Sequence, residues 1–487
     1  LNKRQRFQKE IDVSKKFLPI EITENLKAVF SQASSNGSPI LSVVTGTKPD
    51  FYKQAPLALE AARQGMPVFV IDTGQHFDDL LGFGIEEFNL GQLVGCRLQI
   101  RGDLMEKAGE LILKFGTLGR YCRKRFGPQS ILPIVHGDTL VAGIASLAWV
   151  FGMGQKVAQN EAGLRSMSPI AIRKLRPAEQ PTRARARDFI HSQFHGEWFL
   201  AREEPFPEQI DTWICSAGTQ YFFAPVRLNK DNLVREGYPR ESVHVVGNSV
   251  VDAIHMKRKK KPDRSIFELY PALERGEWVR IDIHRRENLT PRRFGAIVGA
   301  ISDLVKNSEH RLVLVMLNAT ASALSQYGHE SLLKRLAKTY PDKFVITPLW
   351  KEYAHVVEFL DSGHCWAELT DSGSMQEELL YFRKVLSLTV RLNTDRPETV
   401  FDAKSNVLLP PVNRHWLTSM VEEVHRKGSE LGAELSKKKQ LYGKPGQVSK
   451  KIVSILKKEF EGGEVNFYPW LHQRLGLWKE NQVIGYL

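Results

Sequence analysis

Leu369-Thr370-Asp371-Ser372-Gly373-Ser374-Met375-Gln376-Glu377-Glu378 is the stretch that decides how this chain is read: an apolar run ends in an acidic, glycine-bearing turn and a helical pattern starts at once. A strand feeding directly into a helix N-terminus fits that order. The first N–H groups of such a helix have no internal partners and carry the positive end of its dipole, so Ser372, Gly373 and Ser374 are small enough to let a diphosphate approach. Glu377 and Glu378 fall one turn inside, where a carboxylate can accept ribose hydroxyls. Ser374 followed by Glu377 equally fits a capping box, with no ligand involved.

Outward from this turn, composition sets the frame. The chain has 487 residues, 42% of them hydrophobic, which is too long for one comfortable core and too apolar for disorder, so two domains are expected. Lys and Arg outnumber Asp and Glu by 68 to 55. That surplus suits an anionic ligand, but much of it lies in local clusters, and it does not name nucleic acid as a partner. Cys96, Cys122, Cys215 and Cys365 are scattered without C-x-x-C spacing, which points to buried fillers in a reducing compartment and away from a zinc site or a disulfide framework. No apolar run approaches the roughly 18 residues of a membrane span, and the charged opening is not followed by a signal-peptide core, so a soluble cytoplasmic protein is expected.

Along the chain, residues 1–38 read as a leader with a helical pattern through Leu26, Val29 and Phe30. A first domain over 39–250 follows. Its strand Pro39–Val44 runs into Thr45-Gly46-Thr47-Lys48-Pro49-Asp50 and a helix carrying Lys53, where Lys48 and Lys53 are candidate phosphate contacts. The strand Val68–Thr73 stops at Gly74-Gln75-His76, and Ile131–Val135 stops at His136-Gly137-Asp138-Thr139. Gln155–Ala158 runs into Gln159-Asn160-Glu161-Ala162-Gly163-Leu164-Arg165. Each turn alone fits an ordinary helix start, with Asp138 as the cap of the next helix. Their recurrence at strand ends is what an open parallel sheet does at its ligand crevice.

Residues 166–205 break this rhythm with Arg173, Lys174, Arg176, Arg183, Arg185 and Arg187 among prolines, and read as a basic surface loop inserted in the first domain. The charged segment Lys257–Pro262 precedes a second β/α alternation, giving a second domain over 251–445. Its first strand ends on His284-Arg285-Arg286-Glu287-Asn288, a cluster fit to bind phosphate or protonate a leaving group, or else a self-paired surface loop. Residues 446–487 form a last helix and tail that cross back to the first domain. The fold class expected is α/β, two Rossmann-like β/α/β domains facing a central cleft.

These motifs together, with Pro207-Glu208, Gly247-Asn248-Ser249-Val250-Val251-Asp252 and Asp395-Arg396-Pro397-Glu398, stand in the order seen in the UDP-N-acetylglucosamine 2-epimerases, which this chain resembles over roughly residues 39–458. The resemblance implies a GT-B-like fold, a UDP-sugar substrate, a homodimer, and no metal or nicotinamide cofactor. It implies interconversion of UDP-N-acetylglucosamine and UDP-N-acetylmannosamine by elimination of UDP to a glycal-like intermediate and re-addition. By resemblance Asp138, Glu161 and Glu208 handle protons, and His284 lies near the departing diphosphate. Lys48, Lys53, Gln75, His76, Arg165, Arg285, Ser372, Gly373, Ser374, Glu378 and Arg396 contact substrate.

The chain also departs from that family. Lys48 stands where the family usually has Arg, Ser374 where it usually has a second Gly, and Asp211-Thr212 where it has an Asn-Arg pair. The Pro-Val-His segment of many bacterial members is replaced around Val315-Met316-Leu317-Asn318. A hydrolysing 2-epimerase that releases UDP and N-acetylmannosamine, or a GT-B-type glycosyltransferase, fits the same scaffold.

Overall fold

Ile40-Leu41-Ser42-Val43-Val44-Thr45 is buried along its whole length, as a strand covered on both faces must be. In the computed structural model it is β2 (Ile40–Thr45), at the middle of an eight-stranded sheet. The structure describes residues 20–74, 82–126, 131–202, 204–259, 261–350, 352–382, 384–426 and 428–461. The expected contacts Gln75 and His76, the leader up to residue 19 and the tail beyond 461 lie outside the described residues.

The strands in chain order are β1 (Glu21–Ile22), β2, β3 (Val68–Asp72), β4 (Val94–Arg97), β5 (Ile131–His136), β6 (Val157–Asn160), β7 (Met167–Pro169), β8 (Trp198–Leu200), β9 (Thr219–Ala224) and β10 (Val243–Val245). They continue as β11 (Trp278–Asp282), β12 (Arg311–Met316), β13 (Phe344–Pro348), β14 (Cys365–Thr370), β15 (Leu386–Thr389) and β16 (Asn406–Leu408). The chain divides into two packed units. Among described residues the first holds 20–163, 210–249 and 447–461, and the second holds 164–209 and 250–446.

In the first unit the strand order is β1-β4-β3-β2-β5-β6-β9-β10, parallel except for the short antiparallel edge pair β1 and β4. The chain winds outward one way from β2 and then the other way from β5, so the order reverses between these two neighbours. The second unit repeats the plan in a six-stranded parallel sheet, β13-β12-β11-β14-β15-β16, with its reversal between β11 and β14. In open α/β sheets, ligands bind beyond the carboxyl ends of the strands at such a reversal.

The segment 166–205, read from sequence as a surface loop of the first domain, is largely ordered structure inside the second unit. Its helix Arg183–His195 buries Ala186, Phe189, Ile190 and Phe194 in the core that also contains Trp416 and Val407. Gln193 closes the free edge of β16, donating Nε2–H to the Leu408 carbonyl (2.9 Å) and accepting the Leu408 N–H (2.8 Å). Arginines at every second position hid this apolar face at i, i+3, i+4 and i+8. The helix Val448–Phe460 packs in the first unit against the helix Lys48–Arg63, and Lys451 donates to the Val245 carbonyl at 2.6 Å. No helix among the described residues is long and apolar enough to cross a membrane.

Candidate active site

At the reversal of the first sheet, Thr47, two residues beyond the end of β2, caps the helix Lys48–Arg63. Its side chain accepts from the Asp50 N–H, and Asp50 Oδ2 accepts from the Thr47 N–H at 2.7 Å. That box fixes the helix start and leaves Asp50 Oδ1 facing Nδ1 of His136, the last residue of β5, at 2.8 Å. His136 Nε2 lies 2.9 Å from Glu161 Oε2, an ion-pair contact rather than an aligned hydrogen bond. Lys53, one turn into the helix, donates to Glu161 Oε1 at 2.5 Å, and the Asn248 amide donates to the same oxygen at 2.6 Å. All of these side chains are buried.

Glu161 adopts a left-handed backbone (φ 60°), an unfavourable state for a residue with a side chain, held here by its multiple partners. Gly137 is needed beside it, because a Cβ there would lie 2.9 Å from Glu161 Oε2. Burial works against a charge on His136. The neighbouring Glu161 carboxylate, with the bond to Asp50 and the close contact to Glu161, outweighs it and raises the ring to about 9. The cluster is thus carboxylate, imidazolium, carboxylate and ammonium in sequence. Asp138, also buried, is not the cap of the next helix: Thr139 is, accepting from the Ala142 N–H at 3.2 Å. Lys48 is exposed, with its ammonium 5.6 Å from the Tyr52 ring centre.

The second reversal is built around Asp371, between β14 and the helix Gly373–Tyr381. Its fully buried carboxylate accepts the N–H of His284 (3.0 Å), the N–H of Arg285 (3.0 Å) and the Asn288 amide (3.0 Å), all from the loop after β11. His284 Nδ1 is 3.3 Å from the same carboxylate, and its side chain is 40% exposed, so it is anchored by its main chain and presented to solvent. Arg285 Nη1 donates to Glu208 at 2.6 Å. Ser372 caps the helix, accepting from the Met375 N–H at 3.4 Å. The alternative capping box of Ser374 with Glu377 does not form. Ser374 donates to Glu378 Oε1 at 2.9 Å, and Glu377 accepts from Arg396 Nε at 3.0 Å.

Gly373 shows what this arrangement suits. A Cβ on it would lie 3.0 Å from Arg396 Nη1 and 3.5 Å from an Arg285 nitrogen. The first residue of a helix therefore faces two guanidinium groups, each also paired with acids of the same unit, Arg396 with Glu377 and Asp395 and Arg285 with Glu208. Main-chain donors, dipole and guanidinium donors converge as a diphosphate requires.

The expected site residues thus fall into two sets. Asp138, Glu161, Lys48 and Lys53 belong to the first unit; Glu208, His284, Arg285, Ser372, Gly373, Ser374, Glu378 and Arg396 belong to the second. Arg165 is buried in the second unit, donating to the Leu164 carbonyl at 2.7 Å. Sequence reading omitted Asp50, His136, Asn248 and Asp371 from the site, although each stood inside a quoted motif at a strand end. Tyr353, which donates to Glu378 Oε2, carried no local signal.

Two parallel sheets, each with a polar cluster at its reversal, define the GT-B-like class of two Rossmann-like units. Residues 200–457 match the profile of the UDP-N-acetylglucosamine 2-epimerase family, and the chain belongs to that family. The UDP-N-acetylglucosamine 2-epimerase of Methanococcus maripaludis is 24% identical over 396 residues, covering 77% of this chain and 93% of the relative. That of Escherichia coli K12 is 25% identical over 423 residues, covering 85% and 97%. The crystal structure of the Methanocaldococcus jannaschii UDP-GlcNAc 2-epimerase in complex with UDP-GlcNAc and UDP is 25% identical with a TM-score of 0.65, covering 86% of this chain and 99% of that one. The Neisseria meningitidis structure, at 24% identity and TM-score 0.64 over 86% of this chain and 100% of that one, adds support for the fold.

The raised His136 carries a pH signature. Below pH 6.5, its ordinary value, the ring is protonated folded and unfolded, and the clamp contributes in full. Between 6.5 and about 9 only the folded chain keeps the proton, so stability falls as pH rises through this window. The contribution is on the order of 3 kcal/mol. Thermal melts from pH 6 to 9.5 are expected to show this loss in the parent and a flatter profile in His136→Gln. Parallel profiles for the two proteins would contradict the clamp.

Proposed function

We propose that the chain is a UDP-sugar 2-epimerase that interconverts UDP-N-acetylglucosamine and UDP-N-acetylmannosamine. In this reading the diphosphate lies at the Gly373 helix N-terminus against Arg285 and Arg396, Glu378 takes the ribose, and His284 stands by the departing UDP. The observation that carries it is Gly373, whose missing side chain leaves a helix N-terminus open to two guanidinium groups. Family membership supplies the reaction class, and the substrates in the relatives' names suit a site with these donors.

The reaction breaks the C1–O bond to UDP and the C2–H bond, then restores both with the proton on the opposite face of C2. It needs anionic groups able to take and return a proton, and a cationic site that stabilises the leaving diphosphate. Asp138 and Glu161 in the first unit and Glu208 in the second are assigned the proton transfers. Lys53, His136 and Asn248 position Glu161, and Arg285 positions Glu208. A homodimer is part of the proposal. Met105, Ile112 and Leu113 expose 83%, 43% and 55% of their surface along one stripe of the helix Leu104–Phe126, and Phe151 exposes 68% on the helix packed beside it. Such an apolar stripe suits a second copy of the chain. A cytoplasmic setting is part of the proposal.

NMR of UDP-N-acetylglucosamine with the protein in deuterated water tests the reaction. Deuterium is expected at C2 of both epimers. Free UDP with N-acetylmannosamine would mark the hydrolysing reaction, and an unchanged substrate would remove epimerisation. Asp138→Asn and Glu208→Gln are expected to bind UDP no more weakly than the parent, yet lose on the order of 10²–10⁴ in turnover, the usual worth of a positioned acid or base. Retention of near-parent exchange in both would end their assignment. Sedimentation equilibrium is expected to give twice the 55.4 kDa chain mass, and a monomer at working concentration would remove the dimer.

A further inference from the structure

Glu378 lies in the second turn of the helix Gly373–Tyr381 and is 8% exposed. Each of its carboxylate oxygens meets a hydroxyl of this same chain. Tyr353, the first residue of the helix Tyr353–Asp361 and itself 7% exposed, donates to Oε2. Ser374, one turn earlier on the helix of Glu378, donates to Oε1 at 2.9 Å. The second of these bonds depends on the Ser374 hydroxyl alone.

A glutamate side chain turns about three bonds, and ordering it when a ligand arrives subtracts from affinity. One hydroxyl donor on each oxygen fixes the plane of the carboxylate beforehand. Recognition of a vicinal diol depends on that plane: two O–H donors on adjacent carbons must meet two oxygens together, and a tilted carboxylate reaches only one. A general need to satisfy a buried carboxylate would be met by any donors. Donors divided between the two oxygens fix its orientation as well.

We propose that Tyr353 and Ser374 are specificity-determining positioning residues: their hydroxyls hold Glu378 in the orientation that accepts both hydroxyls of a ribose, so that the chain selects ribonucleotides over deoxyribonucleotides. The inference rests on the reading of Glu378 as the ribose acceptor. It assigns to this chain a preference set by side chains that do not themselves touch the sugar.

Titration calorimetry of the full chain with UDP, 2′-deoxy-UDP and 3′-deoxy-UDP tests it. The parent is expected to bind UDP about tenfold or more tighter than either deoxy analogue, and Glu378→Ala to erase the difference. Tyr353→Phe and Ser374→Gly are each expected to weaken UDP about three- to tenfold and the analogues less, so the ratio contracts. Ser374→Thr, which keeps the hydroxyl, is expected to keep the parent ratio. A merely structural role would lower stability without moving that ratio, so thermal melts accompany each titration. If Tyr353→Phe melts early, Ser374→Gly and Ser374→Thr carry the test. Variants that keep the parent ratio, or that bind UDP more tightly because the hydroxyls only compete with ribose, would overturn the inference while the nucleotide reading stands. A parent that binds no UDP would remove that reading and this inference with it.

Discussion

One buried carboxylate organises the second unit. Asp371 has no exposure, and an ionised group in that position is costly unless donors surround it. The donors are the main-chain N–H groups of His284 and Arg285 and the Asn288 amide, all from the loop after β11. Asp371 itself follows β14 and precedes the cap of the next helix. A single residue therefore obliges the loops at the sheet reversal to form together, and it sets His284 and Arg285 beside the helix N-terminus at Gly373. Main-chain donors cannot be swapped by rotamer changes, so this loop is ordered before any ligand arrives.

The strands below carry the same logic inward. Arg280 on β11 is paired in register with Glu368 on β14, and Asp282 with Thr370, whose hydroxyl donates to the Asp282 carboxylate. Arg280 bonds both acids inside the sheet, and Trp350 covers it with its ring centre 5.1 Å away. Burial pushes Glu368 well above the usual carboxylate range despite Arg280. Buried ion pairs contribute little net stability against apolar packing but penalise misalignment heavily, and here a slip of one residue would leave Arg280, Asp282 and Glu368 without these partners. The first unit uses charge differently. Its buried acids Asp50 and Glu161 share His136, joining the ends of β2, β5 and β6 at the other reversal.

Much of this was legible in the sequence, for a physical reason. Parallel strands covered on both faces are largely apolar, Arg280 and Glu368 being exceptions that pair with each other, so most polar residues that interrupt them mark their ends. Thr47, His136, Glu161, His284 and Asp371 all announced themselves in that way. What those residues touch was not legible. Asp50 and His136 are 86 positions apart, and His284 and Asp371 are 87 apart. Strand order decides such meetings, and local pattern carries no record of it. Helix caps were misjudged for a smaller reason. Ser372 and Ser374 both fit the capping pattern, as do Asp138 and Thr139, and a shift of one or two residues in the strand end selects between them. The helix Arg183–His195 was lost because Arg183, Arg185 and Arg187 alternate through its first turns and mask the apolar face of Ala186, Phe189, Ile190 and Phe194.

Asp371 acts on the proposed nucleotide site through order rather than charge, and the two effects have opposite signs. Removing a negative charge beside an anion site would by itself tighten UDP binding, whereas losing the bonds to His284 and Arg285 would weaken it. Titration calorimetry of UDP against folded Asp371→Asn decides between them. Affinity is expected to fall by about tenfold or more, the worth of hydrogen bonds to a charged group. Equal or tighter binding would contradict this role of Asp371.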